Sequence, residues 1–281
     1  MNDKDITKLA KEWETLAEKL YLLGYKKFSV ALRKSIEPLI NYIETTGIYP
    51  TELANLLVTQ IPISTAMNEF VPLVADRTAK NFYKSYLKFL PESAGIAVGF
   101  SSEAFTAGMT EYLNTVGLKH ITEITDTTRK LVNQAFRDSL ENGETTAQLV
   151  KRIEKYTGMG KSRAMLIART ETLMSSAKAK ELQEQEYPFE MDVLWIHDAP
   201  KEPRSWHVNL NRQVRQGDKF KVVSPDGVTY YMKYAGDPAG GAINNCNCKC
   251  THIYKVKRDS EGNPINKWKS YLLRAFTTDH K

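Results

Sequence analysis

Cysteine is scarce in this chain, and its placement is informative. All three cysteines, Cys246, Cys248 and Cys250, fall in one short stretch. An odd count at that spacing is no disulfide framework, and a bridge across a single intervening residue would be strained. Reduced thiols, made in a cytosol, are the simpler reading. Long apolar runs are missing as well. None approaches the roughly 20 residues that cross a bilayer, so no membrane partner is expected. The opening MNDKDITKLAKEW is polar and charged, and without an apolar h-region export by a signal peptide is not expected. Nothing matches Walker A, His-Glu-x-x-His or Gly-x-Ser-x-Gly, which removes the commonest phosphate-binding and hydrolytic signatures. There is no internal repeat and no low-complexity tract.

What is present suits a folded protein. The 281 residues can form one large domain or two ordinary ones, and 42% hydrophobic content is enough to fill a core. The net charge of +6 eases contact with nucleic acid without establishing it. Local basic runs such as Lys26–Lys27 and Lys255, Lys257 and Arg258 read as solvated faces.

The apolar period is helical up to about residue 188 and close to two afterwards. Ile6, Leu9, Trp13, Leu16, Leu20 and Leu23 recur at alternating spacings of three and four, a heptad-like stripe. Gly24 is placed to end that helix. A second stretch carries Phe28, Ala31, Leu32, Ser35, Leu39 and Ile43, with Pro38 expected to kink or break it. Thr51–Gln60 reads as a short helix closed by Pro62. Ser64 is positioned to cap a longer one carrying Met67, Phe70, Val74, Phe82, Tyr86 and Leu90, stopped by Pro91. Residues 92–100 read as a loop. A helix from Ser101 or Ser102 carries Phe105, Met109, Tyr112 and Val116 and ends at Gly117. The next runs from about Asp126 to Leu140, with Gly143 as its C′ residue. Thr145 followed by Gln148 is a capping box, and Gly160–Glu186 is a long helix ending at Pro188.

From residue 190 strands dominate. Met191–Ile196 is a compact apolar run. Lys219–Val223 and Val228–Tyr234 flank Pro225-Asp226-Gly227, a hairpin turn in which proline presets φ and glycine accepts positive φ. Cys250–Val256 alternates, Asn263-Pro264 turns the chain, and a final helix carries Trp268, Leu272 and Phe276. The fold class expected is α+β: a long helical N-terminal region, a small antiparallel β-rich domain and a C-terminal helix. The expected divisions are 1–160, 161–260 and 261–281.

The last hundred or so residues hold an ordered set of polar motifs. They are Ala168-Arg169-Thr170-Glu171, then Trp195 with Asp198, then Arg204-Ser205-Trp206-His207, then Gly236-Asp237-Pro238, then Asn247-Cys248-Lys249-Cys250. This set resembles the C-terminal domain of phage Mu F-like head morphogenesis proteins over about residues 160–252. That pattern reads Ala-Arg-Thr-Glu, Trp and Asp, Arg-x-x-His, Gly-Asp-Pro and Asn-Cys-Arg-Cys. Lysine replaces arginine at 249, and the extra Cys246 leaves open which two cysteines form the family pair. The resemblance implies a minor capsid protein of a tailed phage that works by binding. Its implied partners are the portal protein, the major capsid protein, or both, with non-specific, salt-dependent contact with packaged DNA allowed by the charge. Its implied location is the head interior or portal vertex of the virion, after assembly in the host cytoplasm. An influence on DNA packaging or ejection rests on the resemblance alone.

Read as chemistry, Arg169, Glu171, Trp195, Asp198, Arg204, His207 and Asp237 form a candidate bracing cluster. Arg204 can bridge Asp198 or Glu171 bidentately, or bind phosphate. Two readings of the thiols stand side by side. Cys246, Cys248 and Cys250 with His207, or with His197 or His252 in its place, could hold a structural zinc. Alternatively the thiols pack as small hydrophobes beside a histidine hydrogen-bonded to Asp198 or Asp237. An extended strand would spread residues 246–252 over roughly 20 Å, so a shared ion requires the Asn244–Cys248 stretch to turn. A catalytic alternative, a small nuclease or ADP-ribosyltransferase-like enzyme, would use His207 as base, Arg204 as phosphate clamp and Glu171 as acid. The stretch after Val256 is short for a fused enzyme domain, and catalysis is not expected.

Overall fold

The computed structural model describes residues 3–87, 102–157, 161–197 and 204–267. The expected loop at 92–100, the stop at Pro91, Asp198 and the C-terminal helix around Trp268 lie outside them. In order, the elements are α1 (Asp3–Thr46), α2 (Ala54–Leu57), α3 (Ile61–Leu87), α4 (Glu103–Tyr112), α5 (Leu118–Glu141), α6 (Thr146–Tyr156), α7 (Lys161–Glu186), β1 (Met191–Ile196), α8 (Ser205–Val208), β2 (Phe220–Val223), β3 (Thr229–Met232), α9 (Gly241–Asn245) and β4 (Thr251–Val256). The α+β class expected from the sequence is observed: helices first, then small antiparallel sheets.

Several punctuating residues act otherwise than their type suggests. Gly24 lies inside α1, which continues to Thr46. A Cβ there would sit 2.6 Å from the Phe70 ring and 2.8 Å from Ala168 Cβ. Glycine therefore serves close packing here rather than termination. Pro38 is also interior to α1. It and Lys34, whose carbonyl loses its partner, are exposed, so water can satisfy that carbonyl. Buried Ile36, Leu39 and Ile43 hold the helix on either side. Pro62 falls in the first turn of α3, where its missing N–H costs nothing. Helix α3 thus begins at Ile61, ahead of the expected Ser64 cap. Gly117 keeps a helical φ of −60°. A π turn over Leu113–Gly117 carries α4 directly into α5. Helix α5 starts at Leu118, ahead of the expected Asp126, and its threonines donate back to the turn before. Thr122, Thr125, Thr127 and Thr128 each bond the carbonyl four residues earlier at 2.8–3.1 Å.

Other expectations are met. Thr145 and Gln148 form a reciprocal capping box. Gly143 has φ +60° and Gly227 in the Pro-Asp-Gly turn has φ +80°.

The chain divides into two compact units. The first comprises the described residues of Met1–Ala17, Val74–Met109 and Leu173–Lys281, the second those of Glu18–Leu73 and Thr110–Thr172. In the second, Ile36, Leu39 and Ile43 of α1 pack with Val132, Ala135, Leu149 and Ile153 from α5 and α6. Phe28 and Phe70 meet edge-on at 5.5 Å beside Gly24.

In the first unit, β1 and β4 pair antiparallel with Trp195 opposite His252, and β2 and β3 form the hairpin with Phe220 opposite Met232. Ile6, Leu9 and Trp13 of α1, Phe82 and Tyr86 of α3, and Leu173 and Ala177 of α7 join the buried faces of these strands in one core. The first half of the N-terminal stripe is therefore buried within its own chain. Each such large side chain contributes roughly 1.5–3 kcal/mol. Tyr86 adds a polar tie: its hydroxyl accepts the Tyr254 N–H at 2.9 Å, and its carbonyl accepts the Tyr187 hydroxyl at 3.3 Å.

Candidate functional site

Three short segments of the first unit converge on His207. The first is α8, which carries Arg204 at its N-cap, then Trp206 and His207. The second is the Gly236-Asp237-Pro238 step. Gly236 has φ +90°, and a Cβ on it would lie 3.0 Å from Leu173 Cγ and 3.1 Å from Ala177 Cβ. No other residue combines that backbone with so close an approach to α7. Asp237 then caps the 3-10 turn Pro238–Gly240. One carboxylate oxygen accepts Ala239 N–H at 2.9 Å, the other Lys233 N–H at 2.6 Å, and its carbonyl accepts the Asn245 amide at 2.7 Å. Every polar group of this residue thus shapes backbone. Asp237 is not the partner of a histidine, as the sequence suggested it could be.

The third segment joins α9 to β4 and carries the cysteines. It is not extended. Helix α9 ends at Asn245, and Asn247 takes a left-handed φ of +55°. The strand starts only at Thr251. Asparagine tolerates that conformation better than most side chains. The turn brings Cys248 and Cys250 together with His207, the ligand atoms of all three lying within 4.8 Å of one another. Cys246, His197 and His252 are not in this group. The Arg204 guanidinium donates to the Cys246 carbonyl, tying α8 to the turn. Asp198, one of its expected carboxylate partners, lies outside the described residues.

The protonation of His207 follows from its neighbour. Asn244 donates its amide N–H to the Gly240 carbonyl at 2.8 Å, and its amide oxygen accepts the Trp206 indole N–H at 2.9 Å. Because an indole nitrogen only donates, this fixes which end of the amide faces His207. His207 Nε2 lies 3.0 Å from the same oxygen and must carry the proton. In the neutral ring Nδ1 is then the lone-pair nitrogen, and it lies 3.5 Å from both Cys248 Sγ and Cys250 Sγ. The ring is held edge-on by Trp195 at 5.2 Å and Trp206 at 5.6 Å. His207, Cys248 and Cys250 are at most 4% exposed.

The two thiols differ. Cys248 is the one held ionised. The hydrogen bond from Cys250 pulls its pKa far down, against the opposing effect of burial. The Cys250 main-chain N–H adds a contact to the same sulfur at 3.4 Å. Cys250 is pushed up, first by that bond to Cys248 and then by burial.

Arg169 and Glu171 belong to the second unit. There Glu171 pairs with His120 Nδ1 at 2.9 Å, and the Arg169 guanidinium lies over the Tyr21 ring at 5.9 Å. Ala168 is fully buried beside Gly24, which explains a small residue at that point of the motif. Sequence reading passed over Asn244, His120 and Lys180. Asn244 sits in a run that suggested only turn propensity. Lys180 is 2% exposed on α7, with its ammonium 2.6 Å from Thr251 Oγ1, 3.2 Å from the His252 carbonyl and 3.8 Å from the Trp13 ring centre. Its spacing looks like that of any helical surface lysine.

Residues 130–253 match the family described as Phage Mu protein F like protein. The match begins well before the first motif at Ala168 and takes in the second half of α5 and all of α6. A search of curated proteins and a search of solved structures find no match. Among the described residues no helix is long and apolar enough to cross a membrane.

Proposed function

We propose that this chain, whose residues 130–253 are a phage Mu F-like domain, is a minor capsid protein of a tailed phage. The family implies head morphogenesis. The finer reading is that the protein binds the portal or the inner face of the major capsid shell during assembly and influences packaging or ejection of DNA.

The observation that carries this reading is that the motifs of the first unit coincide with side chains that fix backbone. Gly236 and Asp237 set a turn, Arg204 holds the cysteine segment, and the two tryptophans clamp His207. A set of motifs devoted to rigidity suits a building block. His207 and Arg204, the residues a hydrolytic or transferase mechanism would need, are already engaged inside the protein. The domain would act as a stiff module among packed neighbours. Its net charge of +6 permits weak contact with packaged DNA that fades as salt rises.

The test is mass spectrometry of purified virions and of DNA-free proheads from a producing strain, with co-sedimentation of the pure chain and portal assemblies. The chain should be found in both particles and should travel with the portal. Its absence from both particles would sink the proposal.

A further inference from the structure

The geometry points to a transition-metal site in the first unit: His207 Nδ1, Cys248 Sγ and Cys250 Sγ hold one zinc ion. The inference stands apart from the head-assembly reading and survives its failure.

Distances carry it first. In tetrahedral coordination a zinc–sulfur bond of about 2.3 Å and a zinc–nitrogen bond of about 2.05 Å place nitrogen and sulfur about 3.5 Å apart. His207 Nδ1 lies 3.5 Å from each sulfur.

The second observation is the tautomer. A ligating histidine needs its bonding nitrogen unprotonated and its other nitrogen anchored to an acceptor. Asn244 supplies that anchor on Nε2, and its own orientation is fixed by Trp206 and Gly240. The lone pair of Nδ1 therefore faces the sulfurs before any ion arrives.

The third is the backbone around the cysteines. The left-handed Asn247 and the contact from Cys250 N–H to Cys248 Sγ wrap the chain around one sulfur. An N–H aimed at sulfur favours the thiolate that a metal requires. Two thiolates and an imidazole are a set that favours zinc over calcium, magnesium or manganese. Binding releases to solvent whatever protons the two sulfurs still carry, so affinity rises with pH until both are thiolates. Cys246 is outside the ligand set, which answers the ambiguity its presence creates in the sequence.

The experiment uses the full chain, produced in zinc-supplemented medium and purified without chelator under reducing conditions. Elemental analysis should find about one zinc per chain. After chelation, cobalt(II) titration should give the charge-transfer absorption of thiolate–cobalt bonds and saturate at one equivalent. Cys248→Ser, Cys250→Ser and His207→Ala should each lower affinity by roughly 10-fold or more. Cys246→Ser should retain both the zinc and the cobalt spectrum. If the ligand variants fail to fold, the cobalt titration of the unmodified chain decides alone. Folded protein holding no transition metal and giving no thiolate–cobalt band overturns the inference. Loss of metal from Cys246→Ser equal to that from Cys248→Ser overturns the ligand set.

Discussion

Lys180 offers the sharpest stability experiment. Its ammonium is buried against the Trp13 ring, Thr251 Oγ1 and the His252 carbonyl. Burial lowers its pKa from 10.5 to about 7. A lysine whose folded pKa is depressed costs stability wherever the unfolded chain would hold the proton. Between about pH 7 and 10.5 the unfolded state binds the proton and the native state releases it, so stability rises with pH across that window. Each pKa unit corresponds to about 1.4 kcal/mol, and the shift therefore amounts to about 4–5 kcal/mol in full. Lys180→Met keeps the volume and removes the charge. It also loses the cation–π contact, worth about 1–2 kcal/mol when desolvated, and leaves two acceptors unpaired at about 1–3 kcal/mol. At pH 7 the gain and the losses largely offset each other, so the net change is an insensitive readout. The informative quantity is the difference between the two pH profiles. Urea denaturation from pH 7 to 9.5 should show wild-type stability climbing relative to Lys180→Met, at about half the full slope near pH 7 and by up to about 1.4 kcal/mol per unit above pH 8. Cys248, also depressed, gives a rise of the same sign, but it is present in both proteins and cancels. His252, pushed well below 6.5 mainly by burial, titrates below the window. The buried Tyr86, raised by burial, titrates above it. Parallel profiles for the two proteins would refute the burial of a charged amine at this position.

Three further outcomes are expected. Gly24→Ala should destabilise by about 1–3 kcal/mol despite alanine's better helix propensity, because its Cβ would meet the Phe70 ring and Ala168; a raised melting temperature would show that α1 and α7 do not pass so closely. Asp237→Ala should cost about 1–3 kcal/mol by stranding the Lys233 and Ala239 N–H groups, with Asp237→Asn recovering part of it, as chemical denaturation would report. For the His120–Glu171 pair, burial lowers the histidine pKa but the Glu171 hydrogen bond and charge outweigh it, and the net shift is upward. That contribution is full below the unfolded value of about 6.5 and is lost as pH rises through the folded pKa. Glu171→Gln should therefore cost about 1–3 kcal/mol at pH 6 and less at pH 9; an equal cost at both would rule out a charged pair.

The β region was legible because its signals are local. Pro225-Asp226-Gly227 and the alternation of Cys250–Val256 specify turn and strand without help from the rest of the chain. The helices were legible in type but not in extent. Gly24, Pro38 and Gly117 are breakers by intrinsic preference, and packing overrode each: a close helix crossing, a solvated free carbonyl, a π turn. The site was legible as a list and less so as a geometry. His207 and two cysteines do meet, as spacing and resemblance suggested they could. Which cysteines meet depends on the backbone of Asn247, and the partner that sets the His207 tautomer is an asparagine 37 positions away. Neither is encoded in a short window. The Cys246 carbonyl that accepts from Arg204 was not foreseen, because main-chain acceptors exposed by a turn leave no trace in the sequence.

The core around Trp13, Tyr86 and Leu173 is built from three stretches separated by more than fifty residues each. During synthesis the opening turns of α1 can meet α3, but the strands that complete their core emerge much later. Folding of that unit is therefore late and dominated by distant pairings, the regime in which loop closure slows collapse. A fragment cut to the limits of the family match would leave behind Ile6, Leu9, Trp13, Phe82 and Tyr86, and with them one wall of its own interior.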